Sequence, residues 1–137
     1  MNLYSLLAAR ESERRPVHAV LIGAGKFGSM YLSQARRTPG LRILAVADLA
    51  PERARVSLAR VGWSPERFAA RSLDEAARAG TTFVTEDAER AIAHPATEVV
   101  IDATGSPAAG IAHALECCRQ GKHVVMVNVE ADRKSVV

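Results

Sequence analysis

Short apolar segments alternate with longer stretches of helical periodicity from residue 17 onward. The first apolar segment, residues 17–22, is rich in β-branched side chains and ends at a glycine, which is typical of a buried strand. Four later segments share this character and are too continuously apolar to face water on one side. The predicted strands are residues 17–22, 41–49, 81–85, 98–103 and 123–129.

Helical stretches fill the intervals between these strands, and start and stop signals mark their ends. A Thr-Pro-Gly sequence at 38–40 ends the first helix, Pro51 opens the second, Ser72 opens a short one and Gly121 closes the last. The predicted helices are residues 26–37, 52–61, 73–79, 87–94 and 107–119.

Buried strands that alternate with helices predict a parallel sheet covered on both faces. Because crossover connections are right-handed, few topologies remain, and the strand order 3-2-1-4-5 is favoured. We therefore expect residues 16–131 to form one doubly wound α/β domain of about five parallel strands.

Residues 1–15 precede this pattern and carry apolar Leu3, Leu6 and Leu7, followed by a charged segment. A secretory signal would place the positive charge first, so we expect an extra N-terminal amphipathic helix instead. It would pack on the outside of the domain or on a partner. The apolar run is also far shorter than the ~20 residues of a membrane span, so no membrane association is expected.

Composition and charge exclude several functional classes. The 137 residues are 48% hydrophobic and 24% charged, which excludes a disordered chain. The net charge of +3 is spread along the chain without a basic stripe and interleaved aromatics, so nucleic acid is not an expected partner. The two cysteines, Cys117 and Cys118, are adjacent and form no disulfide framework, which predicts a cytoplasmic protein.

The strongest chemical signal is a glycine motif that follows the first strand and opens the first helix, Gly23-Ala24-Gly25-Lys26-Phe27-Gly28. In this context G-x-G-x-x-G is the fingerprint of a Rossmann fold. The first glycine permits a tight turn, the second lets the backbone approach a pyrophosphate, and the third lets helix and strand pack closely. The helix N-terminus adds free N–H groups for the phosphates. The alternative is a glycine-rich turn without a ligand.

Asp48, with Leu49 beside it, lies at the predicted end of the second strand, twenty residues after the motif. An acidic side chain at this place accepts the hydroxyls of an adenine ribose and repels a 2′-phosphate, which favours NAD slightly over NADP. Arg53 could reach such a phosphate if Asp48 turned away. A helix-capping or surface role for Asp48 is the alternative.

Thr104, Gly105 and Ser106 follow the fourth strand, at the point where the predicted strand order reverses. We expect them to border the nicotinamide half of a dinucleotide. Ser106 would also cap the next helix, with Pro107 at its first position. His113 and Cys117 share one face of that helix, but without further ligands we interpret them as structural.

From Val17 to Asp132 the chain resembles the NAD(P)-binding domain of homoserine-dehydrogenase-like oxidoreductases. The resemblance rests on IGAGKFGS, VADLAPERA, VVIDATGSP and GKHVVMVNVEAD, in that order. The glucose–fructose oxidoreductase family has Glu-Lys-Pro after its fifth strand, and the lysine is absent here. Asn128 matches the asparagine of the Asn-Lys pair in homoserine dehydrogenase, whereas Val129 takes the place of the lysine. The VNVEAD ending is similar to a branch that includes a deoxyxylulose-phosphate-reductoisomerase-like enzyme.

The resemblance implies an NAD(P)-dependent oxidoreductase whose substrate site lies in a second, C-terminal domain. A small-molecule substrate would then bind only to the full-length enzyme, and a homo-oligomer stays open. Residues 132–137 break the apolar pattern and coincide with one reading frame of a common sequencing-library adapter, so we expect a non-native tail. The alternatives are a non-catalytic NAD(P)-binding or sensing module and an interaction module that uses the N-terminal helix.

Overall fold

The computed structural model describes residues 3–13 and 16–127, apart from the side chains of residues 3, 4 and 107. Five strands form one sheet: β1 Val17–Ile22, β2 Leu41–Ala47, β3 Phe83–Thr85, β4 Val99–Asp102 and β5 His123–Met126. Six helices accompany them in the described part of the chain: α1 Leu3–Ser12, α2 Lys26–Ala35, α3 Pro51–Arg60, α4 Leu73–Ala79, α5 Ala88–Ala93 and α6 Pro107–Gln120.

The strands pair in parallel throughout, in the order β3-β2-β1-β4-β5. The predicted topology is thus confirmed. The order reverses between β1 and β4, whose carboxyl ends therefore border the crevice in which ligands of such sheets bind.

Alternate residues of each central strand fill the two faces of the sheet. Ala19 and Leu21 of β1 lie in a core that includes Leu32 of α2 and Leu58 of α3. Trp63 belongs to the same core, and its Nε1–H donates to the carbonyl of Leu32 at 3.0 Å. The opposite face packs against α4, α5 and α6 through Ala76, Ile92 and Cys117, which are buried.

The helix ends that a serine or a glycine marks in the sequence have the predicted capping interactions. Ser72 Oγ accepts the N–H of Glu75 at 3.0 Å, and Ser106 Oγ accepts that of Ala109 at 3.3 Å. Gly121 closes α6 with φ of 70°, a conformation that favours glycine.

Several predicted boundaries were wrong. The strand predicted for 41–49 ends at Ala47, because the Asp48 carboxylate accepts the N–H of Ala50 at 2.8 Å and starts a turn. The strand predicted for 81–85 begins at Phe83, because the N–H of Thr82 bonds the carbonyl of Arg67, outside the ladder. A short 3₁₀ turn, Pro65–Phe68, was not predicted. The first predicted helix ends two residues early, at Ala35.

The expectation that every strand is buried on both faces was also wrong for β5. Val125 and Met126 of this edge strand are 50% and 45% exposed. Its predicted end at residue 129 lies outside the described residues, as does the predicted tail at 132–137.

Helix α1 lies beside the amino ends of β2 and β4. Glu11 accepts the N–H of Gly40 at 2.9 Å and bonds Arg42 at 3.0 Å, while Arg10 bonds Glu98 at 3.2 Å. These contacts place α1 at the end of the sheet opposite to the carboxyl ends of the strands. The division of the chain into 1–15, 16–131 and 132–137 stays a prediction. No helix within residues 3–13 or 16–127 has the length and apolar character needed to cross a membrane.

Candidate functional site

The glycine motif forms the turn between β1 and α2, and two of its glycines are required by close packing. Gly23 has φ of 95°, and a Cβ there would lie 2.7 Å from the carbonyl oxygen of Ala103. A Cβ on Gly28 would lie 2.1 Å from the carbonyl oxygen of Gly23. The first turn of α2 therefore rests directly on the loop, and the loop on the end of β4.

Gly25 differs from Gly23 and Gly28, because a Cβ at Gly25 would meet nothing within 4 Å. It is the N-cap residue of α2, which like α3 has no side-chain cap, whereas α4, α5 and α6 each have one. The first N–H groups of a helix lack partners within the helix, so this end can bind an anion. Open space over Gly25 leaves room for a phosphate to approach the backbone.

The backbone N–H and carbonyl of Ala24, which lies between Gly23 and Gly25, both form hydrogen bonds with side chains. Its N–H donates to Asp48 Oδ2 at 2.8 Å, and its carbonyl accepts the hydroxyl of Ser57 at 3.2 Å. The loop is thereby held to the end of β2 and to α3.

Asp48 follows β2 and is buried, with 5% of the residue exposed. Oδ1 accepts the N–H of Ala50 at 2.8 Å, and Arg53 bonds the two oxygens at 2.8 and 2.9 Å. Burial alone would raise the pKa of Asp48, but the bonds from Ala50, Ala24 and Arg53 together lower it below its ordinary value. The carboxylate is therefore ionised and already bonded within the protein, a role that the sequence did not indicate.

Arg53 keeps 61% of its side chain exposed although it bonds Asp48. It borders a shallow depression of about 380 Å³ beside the glycine motif, together with Ala24, Gly25 and Lys26. Arg60 also lines it, and no acidic side chain from the described residues does so. Its surface is therefore cationic and adjoins the uncapped end of α2.

A cavity of about 250 Å³, lined by Asp48, lies at the carboxyl ends of β1, β2 and β4, and Arg53 lines both this cavity and the depression. It brings together residues that are distant in sequence, and those predicted to bind a cofactor are Gly23, Asp48, Leu49, Thr104 and Ser106.

The remaining predicted site residues lie elsewhere. Phe27 and Gly28 line neither space, Gly28 because it packs under the loop. Gly105 has φ of 75° and does not line the cavity, although both of its neighbours do. Asn128 lies outside the described residues.

Sequence reasoning missed one pair of residues in the cavity wall. Asp102, the last residue of β4, is 1% exposed, and its Oδ2 lies 2.7 Å from Nδ1 of His113. His113, interpreted above as structural, lines the cavity. Two sequence signals could have indicated this pair. Asp102 is an acidic residue at the end of a buried strand, much like Asp48 directly after β2. The helical spacing also places His113 on one face with Ala109 and Ser106.

Cys117, one turn further along α6, is buried, and burial raises the pKa of its thiol, as the structural interpretation expects. Within the residues that the structure describes, no three His, Cys, Asp or Glu side chains are grouped as metal ligands.

A family model described as homoserine dehydrogenase, NAD binding domain, matches residues 23–135. The chain belongs to this family. The predicted family resemblance and Rossmann fold are thus confirmed. Comparison with curated protein sequences gives no match.

Solved structures of oxidoreductases share the fold of this NAD-binding domain. One is an oxidoreductase from Klebsiella pneumoniae, with 25% identity over 80% of this chain and a TM-score of 0.56. Another is myo-inositol dehydrogenase from Lactobacillus casei in complex with NAD(H) and myo-inositol, with 16% identity over 81% of the chain and a TM-score of 0.59. A third is levoglucosan dehydrogenase in complex with NADH and L-sorbose, with 22% identity over 81% of the chain and a TM-score of 0.54. This chain spans only 25%, 28% and 27% of the length of these three proteins.

Proposed function

We propose that this chain binds a nicotinamide dinucleotide, with NAD favoured over NADP, as the cofactor-binding part of an oxidoreductase. One observation carries the proposal: the glycine loop, Asp48 and the 104–106 loop come from three strand ends and meet at the reversal between β1 and β4. Ligands of doubly wound sheets bind at such a point.

The residues present fit a dinucleotide. The pyrophosphate would lie on the amides at the start of α2, in the cationic depression beside Lys26 and Arg53. The adenine ribose would lie at Asp48, between that depression and the cavity. The nicotinamide half would continue past Gly105 toward the end of β5.

When bound, the nicotinamide supplies hydride transfer, and the protein supplies position and electrostatics. We propose that the substrate and the groups that act on it belong to the part of the whole protein beyond this domain. Residues 3–127 would then bind the cofactor without turning over a substrate. A cytoplasmic location is part of this proposal, supported by two free cysteines. A homo-oligomer stays a prediction.

The test is a calorimetric titration of the 137-residue chain with NADH and with NADPH. We expect saturable binding of one dinucleotide per chain, with NADH the tighter ligand. Gly25→Val is the matched variant, because a Cβ there meets nothing within 4 Å and the branched side chain would extend into the open space over the helix end. It should keep the circular dichroism of the wild type and lose binding. A folded wild-type chain that binds neither dinucleotide would contradict the proposal.

A further inference from the structure

The Asp102–His113 pair is a polar feature of the cavity to which the proposed function assigns no role. Asp102 Oδ1 accepts the N–H of Thr104 at 3.1 Å, and Oδ2 bonds Nδ1 of His113 at 2.7 Å. The two side chains are only 1% and 15% exposed. The imidazole is therefore held in one orientation in the cavity wall.

The bond to Asp102 decides what the other ring nitrogen can do. An ionised carboxylate only accepts hydrogen bonds, so the proton of a neutral imidazole lies on Nδ1. Nε2 is then an acceptor, and the described residues give it no hydrogen-bond donor. Because His113 lines the cavity and Nδ1 is engaged by Asp102, Nε2 is the ring nitrogen that it can offer to a bound group.

The shape of the cavity indicates which part of the ligand it takes. Its volume of about 250 Å³ is below the ~300–1,000 Å³ of pockets that enclose a whole drug-sized ligand, so it suits one moiety of a dinucleotide. Ile22, Ala47, Leu49, Ala88 and Ala109 give it mostly apolar walls, which suit a flat aromatic base.

The position proposed for the ribose indicates which base of the dinucleotide enters the cavity. A ribose at Asp48 carries its phosphate toward the cationic depression. The adenine attached to the same ribose would then occupy the cavity that His113 lines. Thr104 and Ser106 line this cavity too, so on this proposal they border the adenine and not the nicotinamide half expected from the sequence.

We propose that His113, positioned by Asp102, recognises adenine by accepting a hydrogen bond from its exocyclic 6-amino group at Nε2. This inference rests on the proposed function. Hypoxanthine carries a carbonyl oxygen at that place, so two acceptors would face each other and binding would weaken. His113 is then the residue that selects the base of the dinucleotide.

The experiment compares the affinities of the 137-residue chain for NAD and for nicotinamide hypoxanthine dinucleotide, by calorimetry at pH 8. We expect the wild type to bind NAD about tenfold more tightly, as the loss of one buried hydrogen-bond pairing implies. Equal affinity, or a preference for the hypoxanthine dinucleotide, overturns the inference alone. Failure to bind either dinucleotide overturns the proposed function and the inference with it.

Two substitutions separate the two ring nitrogens. In His113→Asn the amide can still donate to Asp102 from the place of Nδ1, but no polar atom remains at the place of Nε2. His113→Gln keeps a polar atom near Nε2. We expect His113→Asn to bind both dinucleotides equally and His113→Gln to keep part of the preference; retention of the full preference by His113→Asn overturns the inference.

Two further variants test the surroundings of His113. Asp102→Asn can donate to Nδ1 and so leave the proton on Nε2; we expect it to reduce the preference, and an unchanged preference would overturn the positioning role of Asp102. Glu86, an exposed carboxylate that lines the same cavity, is a competing acceptor. Glu86→Gln should keep the preference for NAD. If Glu86→Gln loses this preference while His113→Asn retains it, Glu86 and not His113 recognises the base. Thermal melts of each variant identify any that does not fold.

Discussion

Arg53 bonds both carboxylate oxygens of Asp48, at 2.8 and 2.9 Å, while most of its own side chain remains exposed. The N–H groups of Ala24 and Ala50 bond the same carboxylate, one on each oxygen. A carboxylate offers about four acceptor sites, so these four contacts occupy all of them. For NAD, the ribose diol would replace Arg53 on Asp48; for NADP, the exposed guanidinium would meet the 2′-phosphate, so Arg53 opposes the preference for NAD that Asp48 gives. We therefore expect Arg53 to set the balance between NAD and NADP.

Arg53→Ala should shift the cofactor preference toward NAD. The substitution frees two acceptor sites on Asp48 for ribose hydroxyls and removes the cation that would bind a 2′-phosphate. A hydrogen bond to a charged group contributes about 1.5–3 kcal/mol, so the ratio of the NADPH to the NADH dissociation constant should rise about tenfold or more. Calorimetric titration with both dinucleotides measures it. Arg60→Ala removes a cation from the same depression without touching Asp48 and should move the ratio less. An unchanged ratio in Arg53→Ala would remove Arg53 from the cofactor site.

Gly28→Ala should destabilise the domain, because the new Cβ would lie 2.1 Å from the carbonyl oxygen of Gly23, a backbone atom. Overpacking of this kind costs about 1–3 kcal/mol, which the midpoint of urea unfolding reports. Gly25→Ala is the matched variant, since its Cβ meets nothing within 4 Å. It should unfold within about 0.5 kcal/mol of the wild type, as surface substitutions do. Equal stability of the two variants would show that α2 can move off the loop without cost.

Asp48 should make the stability of the domain depend on acid pH. Its pKa in the folded protein lies below its ordinary value of 3.8, so the proton binds more weakly in the folded than in the unfolded chain. The stabilisation is therefore complete above the ordinary value and is lost as pH falls through the lower, folded value. Urea unfolding of the wild type and of Asp48→Asn, from about pH 2 to about pH 6, measures the difference between their free energies of unfolding.

That difference should favour the wild type at neutral pH and shrink as pH falls below 3.8. Subtracting the variant removes the contribution of Glu11, whose pKa is also lowered, chiefly by the N–H of Gly40. A difference that stays constant with pH would mean that Asp48 does not titrate in this way.

Ser106→Ala and Ser72→Ala should have similar effects on stability but different effects on binding. Each serine accepts a backbone N–H at the start of a helix, and loss of such a cap costs about 0.5–2 kcal/mol. Only Ser106 lines the cavity. NADH titration should therefore detect weaker binding for Ser106→Ala alone. Weaker binding in both variants would instead point to a general effect of lower stability.

The strand order could be predicted from the sequence because general rules left few alternatives. Continuously apolar segments need cover on both faces, and helices of adequate length lie between them. Right-handed crossovers then order the strands. The rules did not predict the exposure of the edge strand β5. Val124 packs on α6, whereas Val125 and Met126 are exposed. Hydrophobicity alone does not distinguish an edge strand from a central one.

The candidate site was predictable where a motif ties function to backbone geometry, and not where it depends on tertiary contacts. The glycine spacing indicated where the chain must pass closely over itself. The bond of Asp48 to Arg53, by contrast, depends on how the first turn of α3 lies against β2. The pairing of Asp102 with His113 spans eleven residues and exists only because α6 folds back onto β4. The sequence suggested a local role for Asp48 and for His113, but it did not show which side chain each of them bonds.

Trp63 gives the chain an optical reporter of its own state. It is the single tryptophan of the sequence, and it is 6% exposed with its indole N–H bonded to Leu32. An indole so shielded emits at shorter wavelength than one in water, so a red shift should follow unfolding without any added dye. Its emission also overlaps the absorption of reduced nicotinamide. Binding of NADH should therefore quench Trp63 by energy transfer, so that one residue reports both folding and cofactor occupancy.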